Sequence, residues 1–199
     1  MLSRIFILMG KSATGKDSIM KKLMGCGLKP LILYTTRPIR DGELEGREYH
    51  FINQDSFDEL KSQGKVIESR SYDTAFGRWS YSSVDDGVID LTSHNYIVIG
   101  TLETLDSYRR HFGEDRVVPI YVEVDDGVRL QRAIEREKTQ AKPKYIELCR
   151  RFVADDEDFS DEKLKEAGVE DNNRFVNDDL EDCVKRISGF ILMYSRQSK

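Results

Sequence analysis

The sequence predicts an α/β fold built on a mostly parallel sheet with helices on both faces. Three observations carry that expectation. Short apolar runs alternate with amphipathic helical segments along the chain, which is how strand–helix–strand units read. The first of these runs, Ile5 to Met9, passes straight into GKSATGKD, Gly10 to Asp17. Strand, glycine loop and helix together form the setting in which backbone N–H groups cradle a phosphate. Finally, 39% of the 199 residues are hydrophobic, enough for one core of ordinary size with a small insertion.

Each element follows in order. Ile5 to Met9 is a continuous apolar run cut off by Gly10, hence a buried strand. Ser18 to Met24 is helical and closes at Gly25 and Gly27. Leu31 to Tyr34 reads as a second short strand, followed by a polar stretch ending in Tyr49-His50-Phe51. Gln54 to Ser62 is a short amphipathic helix, and a further strand begins over Lys65 to Glu68. Asn95 to Gly100 and Val117 to Val124 are apolar strands, separated by a helix through Leu105 and Tyr108. Val128 to Lys138 and about Lys144 to Asp158 are helical, Asn173 to Asn177 is a last strand, and Leu180 to Ser195 a last helix. The acidic run Asp155 to Asp158 is expected to be a solvated helix face. No internal repeat and no low-complexity linker interrupts the pattern.

Bulk properties exclude several classes. A net charge of −5 argues against a surface that coats nucleic acid. Cys26, Cys149 and Cys183 are scattered and odd in number, which suits a reducing cytosol better than a disulfide framework or a zinc site. The first apolar run is too short to span a bilayer. A soluble cytoplasmic protein without membrane or nucleic-acid partners is expected.

The stretch TTRPIRDGELEGREYHF, Thr35 to Phe51, carries more information than the glycine loop. It brings Arg37, Arg40 and Tyr49 close in sequence, with Gly42 and Gly46 allowing tight turns. Two guanidinium groups and a phenol hydroxyl make a donor set suited to a doubly charged phosphate. Here the sequence resembles guanylate kinase, of the nucleoside monophosphate kinase group. That family shows T-T-R-x-P-R-x-G-E, a glycine and Y-x-F. The resemblance resumes at Val66-Ile67-Glu68 and at Val176-Asn177-Asp178-Asp179-Leu180.

The resemblance implies a P-loop nucleoside-monophosphate-kinase-like three-layer fold, with a GMP-binding region inserted over 34–88 and a helical lid over 132–158. It implies transfer of phosphate from ATP to GMP or dGMP, with Mg²⁺. The ATP-binding residues would be Gly10, Ser12, Ala13, Thr14, Gly15, Lys16, Asp17 and Ser18, with Asn177 near the adenine or its ribose. Arg37, Arg40 and Tyr49 would hold the GMP phosphate, and Glu43 would order their loop. Glu68 would read the base: an ionised carboxylate is a pure acceptor and faces the N–H donors of guanine. Ser80, Tyr81 and Ser82 align loosely with further substrate contacts. Arg132 and Arg136 share a helix face four residues apart, and Arg150 and Arg151 lie on the second lid helix. Arg136 and Arg151 best match the family's lid arginines and, with Lys16, are the candidate catalytic groups.

Three departures stand out. Tyr34 occupies the place of a serine that bonds the GMP phosphate. Ile99 and Thr101 fall where carboxylates near base and metal are expected. Asp17 replaces the loop's Ser or Thr. At a helix start Asp17 is favoured by the helix dipole; alternatively it binds Mg²⁺, with Thr101 as substrate contact or partner to the metal site. Three readings of function stay open: a GMP kinase, a non-catalytic module of the same fold, and a P-loop kinase for another small acceptor. Retention of Gly10, Gly15 and Lys16 weighs against the non-catalytic module, because scaffold versions of the fold tend to lose the glycine loop.

Overall fold

A computed structural model describes residues 3–25, 27–40, 42–74 and 77–196 of the chain. Cys26 and Asp41, both within stretches named above, lie outside the described residues. The chain divides into two compact units, one formed by the residues up to Lys29 together with those from His94 onward, the other by Pro30–Ser93.

The first unit is a five-stranded sheet. β1 (Ile5–Met9), β2 (Lys29–Pro30), β7 (Tyr96–Ile99), β8 (Val117–Glu123) and β9 (Arg174–Val176) assemble in the order β2-β7-β1-β8-β9. β1 lies at the centre and runs parallel to β7 and β8, and β8 runs parallel to β9. All five β1 residues are fully buried, as a strand covered on both faces requires. Alternation along it separates two layers. Phe6 and Leu8 join Ile97, Ile120 and Phe175 against α1 (Lys16–Met24) and α7 (Leu180–Arg196), through Ile19, Leu23, Cys183 and Ile187. On the other face Ile7 approaches Gly100 and Thr104, at the start of α3 (Leu102–Phe112). α4 (Asp126–Lys138), α5 (Tyr145–Asp158) and α6 (Asp161–Glu166) complete the unit. No helix among the described residues is long and apolar enough to cross a membrane.

The second unit is a four-stranded sheet of β3 (Tyr34–Thr35), β4 (His50–Phe51), β5 (Val66–Thr74) and β6 (Gly77–Val84), in the order β4-β3-β6-β5. Its helix α2 (Gln54–Ser62) is capped by Asn53, whose side chain accepts from Ser56 N.

One expectation needs correction, and β5–β6 and α6 add to the rest. Leu31 to Leu33 is not a strand: the chain leaves one sheet at Pro30 and enters the other at Tyr34, so the apolar run is the half-buried crossing between them. The strand expected to begin over Lys65 to Glu68 runs on as β5 to Thr74 and pairs with β6, whose residues give no clean apolar period in the sequence. α6 also escaped notice, since Leu164 is its single buried side chain.

The core makes a simple prediction. Cys149 is exposed and Cys183 buried, and burial pushes the Cys183 thiol up to about 11. At pH 8 an alkylating reagent should label Cys149 and spare Cys183 in the native protein, and label both in denaturant. Peptide mass spectrometry reads the difference.

Candidate active site

The glycine loop is shaped by close approach. A Cβ on Gly10 (φ +149°) would lie 2.5 Å from the Val122 carbonyl oxygen, so the strand end tolerates only glycine. Gly15 starts α1 in the left-handed region, φ +89°, and a Cβ there would meet Asn177 Nδ2 at 2.7 Å. Ala13 holds φ +64° with a side chain attached, a conformation costing about 1–2 kcal/mol. Thr14 Oγ1 donates to the Lys11 carbonyl at 2.9 Å, and Asn177 Nδ2 to the Thr14 carbonyl at 2.7 Å. Asn177, expected near an adenine or ribose, is thus buried with its amide on the loop itself.

Lys16 turns its ammonium back into the loop, donating to the carbonyls of Gly10 (2.7 Å) and Lys11 (2.9 Å). Burial pulls its pKa down to about 8; Asp155 and Asp17 oppose the shift, while Arg129 and Arg136 reinforce it. Asp155 is the surprise. Its carboxylate accepts from Ser12 N at 2.7 Å, and Asp156 pairs with Lys11. The expected solvated face holds for Asp156, Glu157 and Asp158, which are exposed, and fails at Asp155, which a loop N–H draws in.

Arg129, unremarked in the sequence, is the buried arginine of α4. Its Nη1 reaches Asp126 (2.8 Å), its Nε the Ser12 carbonyl (3.2 Å), and its guanidinium covers the Phe152 ring at 4.5 Å. Three arginines share α4 within eight residues, and spacing alone does not separate the buried one from Arg132 and Arg136.

The remaining candidates of this unit divide. Asp17 and Ser18 are exposed in the first turn of α1. Arg136 is exposed on α4 yet contributes to the field at Lys16. Arg151 is exposed and leans on Glu147 at 3.7 Å. Thr101 is a helix cap: its hydroxyl accepts from Thr104 N at 3.4 Å, and Thr104 Oγ1 accepts from Thr101 N at 3.1 Å. A helix beginning straight after β7 leaves N–H groups needing acceptors, and that need accounts for the hydroxyl. Among the described residues no group of three or more His, Cys, Asp or Glu is arranged to hold a metal ion.

The second unit gathers its own cluster. Arg37 is buried, and its two terminal nitrogens bond both Glu43 oxygens at 3.0 and 2.8 Å. Glu43 also accepts from Arg40 N at 2.8 Å, which folds Arg37 to Glu43 into a closed turn. Hydrogen bonding to Arg37 holds the Glu43 carboxyl below its usual range. The Arg37 guanidinium lies 5.6 Å from the Tyr49 ring centre and 5.5 Å from that of Phe51, and Tyr49 packs edge-on to Tyr81 at 5.7 Å. The two arginines are therefore unequal. Arg37 is committed to Glu43, whereas the Arg40 side chain is exposed.

Strand register sorts the rest. Glu68 pairs with Ser83, Arg70 with Tyr81 and Tyr72 with Trp79; Ser69 pairs with Ser82 and Ser71 with Ser80. Successive strand residues face opposite sides, so Ser80 and Ser82 lie on the face away from Glu68. They are buried and hydroxyl-bonded to Ser71 and Ser69. Ser83 instead donates to Glu68 at 3.2 Å. The partner for Glu68 is thus Ser83, and Tyr81 joins the Arg37 cluster; a one-residue shift in a serine-rich strand hides both. Tyr34 donates its hydroxyl to Asp86 at 2.6 Å and stacks on His50 at 4.7 Å. Burial first, then this bond, raises its pKa, so it does not replace a free serine hydroxyl.

A parallel sheet carrying a glycine loop at the end of its central strand defines the class of P-loop nucleotide-binding folds. The model of the guanylate kinase family matches residues 2–193, and the chain belongs to that family. It is 36% identical to a guanylate kinase of Neisseria gonorrhoeae over 97 residues, 48% of this chain. That match spans about half the relative's length, 45%. A guanylate kinase of Nostoc sp. is 26% identical over 92% of this chain and 87% of its own length. One from Anaplasma phagocytophilum is 27% identical over 94% of this chain and 85% of its own. The crystal structure of guanylate kinase from Anaplasma phagocytophilum superposes with a TM-score of 0.66 at 20% identity, covering 100% of this chain and 88% of that one; this likeness supports the fold.

Lys16 gives the loop a pH dependence. Anions bind the charged form, which predominates below about 8 and is lost above it. Binding of inorganic tripolyphosphate, measured by calorimetry, should weaken about eightfold from pH 7.5 to 9 as the charged fraction falls. Lys16→Met should bind weakly and without that dependence.

Proposed function

We propose that the protein transfers the terminal phosphoryl group of ATP to GMP or dGMP. One observation carries the reading: a glycine loop that keeps its lysine, in a chain whose other unit holds Arg40, Tyr49 and the Arg37–Glu43 turn as well as the strand that carries Glu68. Phosphoryl transfer asks the protein mainly for positioning and charge neutralisation. Lys16 and the loop N–H groups would hold the donor phosphates. Arg136, exposed and already within the field of Lys16, is the better candidate to approach the transferring group; Arg151 would have to leave Glu147 first.

On the acceptor side, Arg40 and Tyr49 would bind the monophosphate directly. Arg37, buried and bonded to Glu43, would add its charge beside the phosphate, and Glu43 would keep it aimed. Glu68, steadied by Ser83, would accept from guanine N–H groups. Pro30–Ser93 would then be the monophosphate-binding part, and α4 with α5 the lid.

Mg²⁺ fits the donor set. Asp17 offers one exposed carboxylate beside the loop, and Mg²⁺ is commonly held by one or two carboxylates plus phosphate oxygens and water. When bound, the ion would neutralise phosphate charge. Asp17→Ala should raise the Mg²⁺ concentration for half-maximal activity and leave metal-free GMP binding unchanged; equal Mg²⁺ dependence would leave Asp17 as a helix-dipole residue. Free thiols at Cys149 and Cys183 support a reducing, cytoplasmic setting.

The test is ADP release from ATP with each nucleoside monophosphate in turn. GMP or dGMP should turn over fastest. Glu68→Gln should erode the preference over AMP by about tenfold or more, since an ionic hydrogen bond is lost and a donor is introduced. Arg37→Ala should weaken all monophosphates alike. Faster turnover with another acceptor would favour a kinase of different specificity, and no turnover with any would favour a binding module.

A further inference from the structure

The acids at the end of α5 belong to no role assigned above. Asp155 Oδ2 accepts from Ser12 N at 2.7 Å, one of the backbone donors that such a loop turns towards phosphate oxygens. Asp156, next in sequence, pairs with Lys11. Arg129 would be the natural partner for Asp155, yet the nearer approach is 3.6 Å, and Arg129 Nη2 is buried without a hydrogen-bond partner. The carboxylate therefore sits on the loop N–H in preference to the neighbouring guanidinium. Its position is the one a phosphate oxygen would take.

Leu148 is the only buried residue of α5. Phe152, under the Arg129 guanidinium, adds one contact. Phe159, which closes the helix, is buried beside the Tyr121 ring at 5.6 Å, and the two carboxylates fix the turn between it and Phe152.

We propose that Asp155 is a resident anion of the phosphate loop, and that a polyphosphate binds by displacing it, so that loop occupancy and release of the α5 end are one coupled event. The proposal rests on the reading of this loop as the donor-phosphate site. Two negative side chains cannot share the Ser12 donor and the Lys11 charge with a polyphosphate. Displacement also frees Lys11 for the ligand and leaves the open Arg129 donor beside the incoming charge. Asp155 thereby sets nucleotide affinity without contributing to binding. It also makes the nucleotide itself the trigger that loosens the helix, a coupling that runs equally in the other direction.

The test uses inorganic tripolyphosphate and ADP as probes, with binding to the full chain measured by calorimetry. Asp155→Asn keeps the shape and an acceptor but removes the charge; it should bind both probes about fivefold tighter or more, a coupling of ordinary allosteric size. Asp156→Asn should give a smaller gain that fades in high salt. Unchanged or weaker binding by a folded Asp155→Asn protein overturns the proposal, as would a wild-type chain that binds neither probe. Hydrogen exchange on the wild type decides independently of any variant: saturating ADP should speed exchange across 153–158, and slower or equal exchange sinks the idea. The kinase reading fails separately. Tighter polyphosphate binding without GMP phosphorylation would leave this coupling standing, whereas normal turnover with unchanged binding would remove it alone.

Discussion

The Val122 carbonyl oxygen lies where any side chain on Gly10 would have to go, and the architecture of the phosphate loop follows from that contact. β1 is buried on both faces and paired with β7 and β8, so its end cannot move aside. The chain must turn at once, against the next strand, with no side chain to spare. Having turned, it needs left-handed backbone at Ala13 and Gly15 before α1 can start. Asn177, arriving from the end of β9, ties the turn through Thr14. A strained loop held by distant strands keeps its N–H groups pointed outward, which is what an anion site needs.

Among the described residues each unit also buries one arginine, and the two cases differ in outcome. Arg37 meets both oxygens of Glu43 and stacks among Tyr49 and Phe51. A planar fork matched by a carboxylate is the geometry that repays burial of the charge. Arg129 is more deeply buried and less well matched, with one nitrogen short of a partner and its carboxylates divided between itself and the loop. The first arrangement is a finished structural joint. The second is incomplete within the protein, which suits a place where charges are rearranged by a ligand.

The sheet of the first unit was legible at β1, β7, β8 and β9, whose strands are mainly apolar, and at its glycine loop, while the two-residue β2, Lys29–Pro30, gives no such signal. The second sheet was legible only at its motif. Thr35 to Phe51 carries residue types with distinct chemistry, whereas β5 and β6 mix serines and charged residues with aromatics and show no clean apolar period. Ser80, Ser82 and Ser83 look alike in a string, and only the pairing of Glu68 with Ser83 says which of them shares the carboxylate's face. Asp155 illustrates a deeper limit. Four acids at a helix end read as solvated because solvent is their usual partner. That Asp155 meets a glycine loop 143 residues earlier depends on tertiary packing, which no local pattern encodes.

Two of the three departures from the family pattern, at Tyr34 and at Ile99 with Thr101, become intelligible once local demands are counted. Thr101 caps α3, and a carboxylate could do that as well, so capping permits the change without requiring it. Tyr34 cannot act as serine would, because Asp86 holds its hydroxyl and His50 its ring; the added bulk is fixed in one direction. Ile99 extends the apolar β7 run and packs against the core around Phe6 and Leu8. Each replacement is satisfied by its own surroundings, and none leaves a buried polar group in need of a substrate. Of the acceptor contacts the resemblance implies, the charged ones that remain are Arg37, Arg40, Glu43 and Glu68, and Arg37 and Glu43 are already bonded to each other. Under the proposed function, discrimination between bases would therefore narrow to Glu68, which accepts from the Ser83 hydroxyl. A single carboxylate can reward a correct donor by an ionic hydrogen bond's worth, about 1.5–3 kcal/mol. That is enough to rank acceptors, and it leaves the ranking sensitive to the loss of that one side chain.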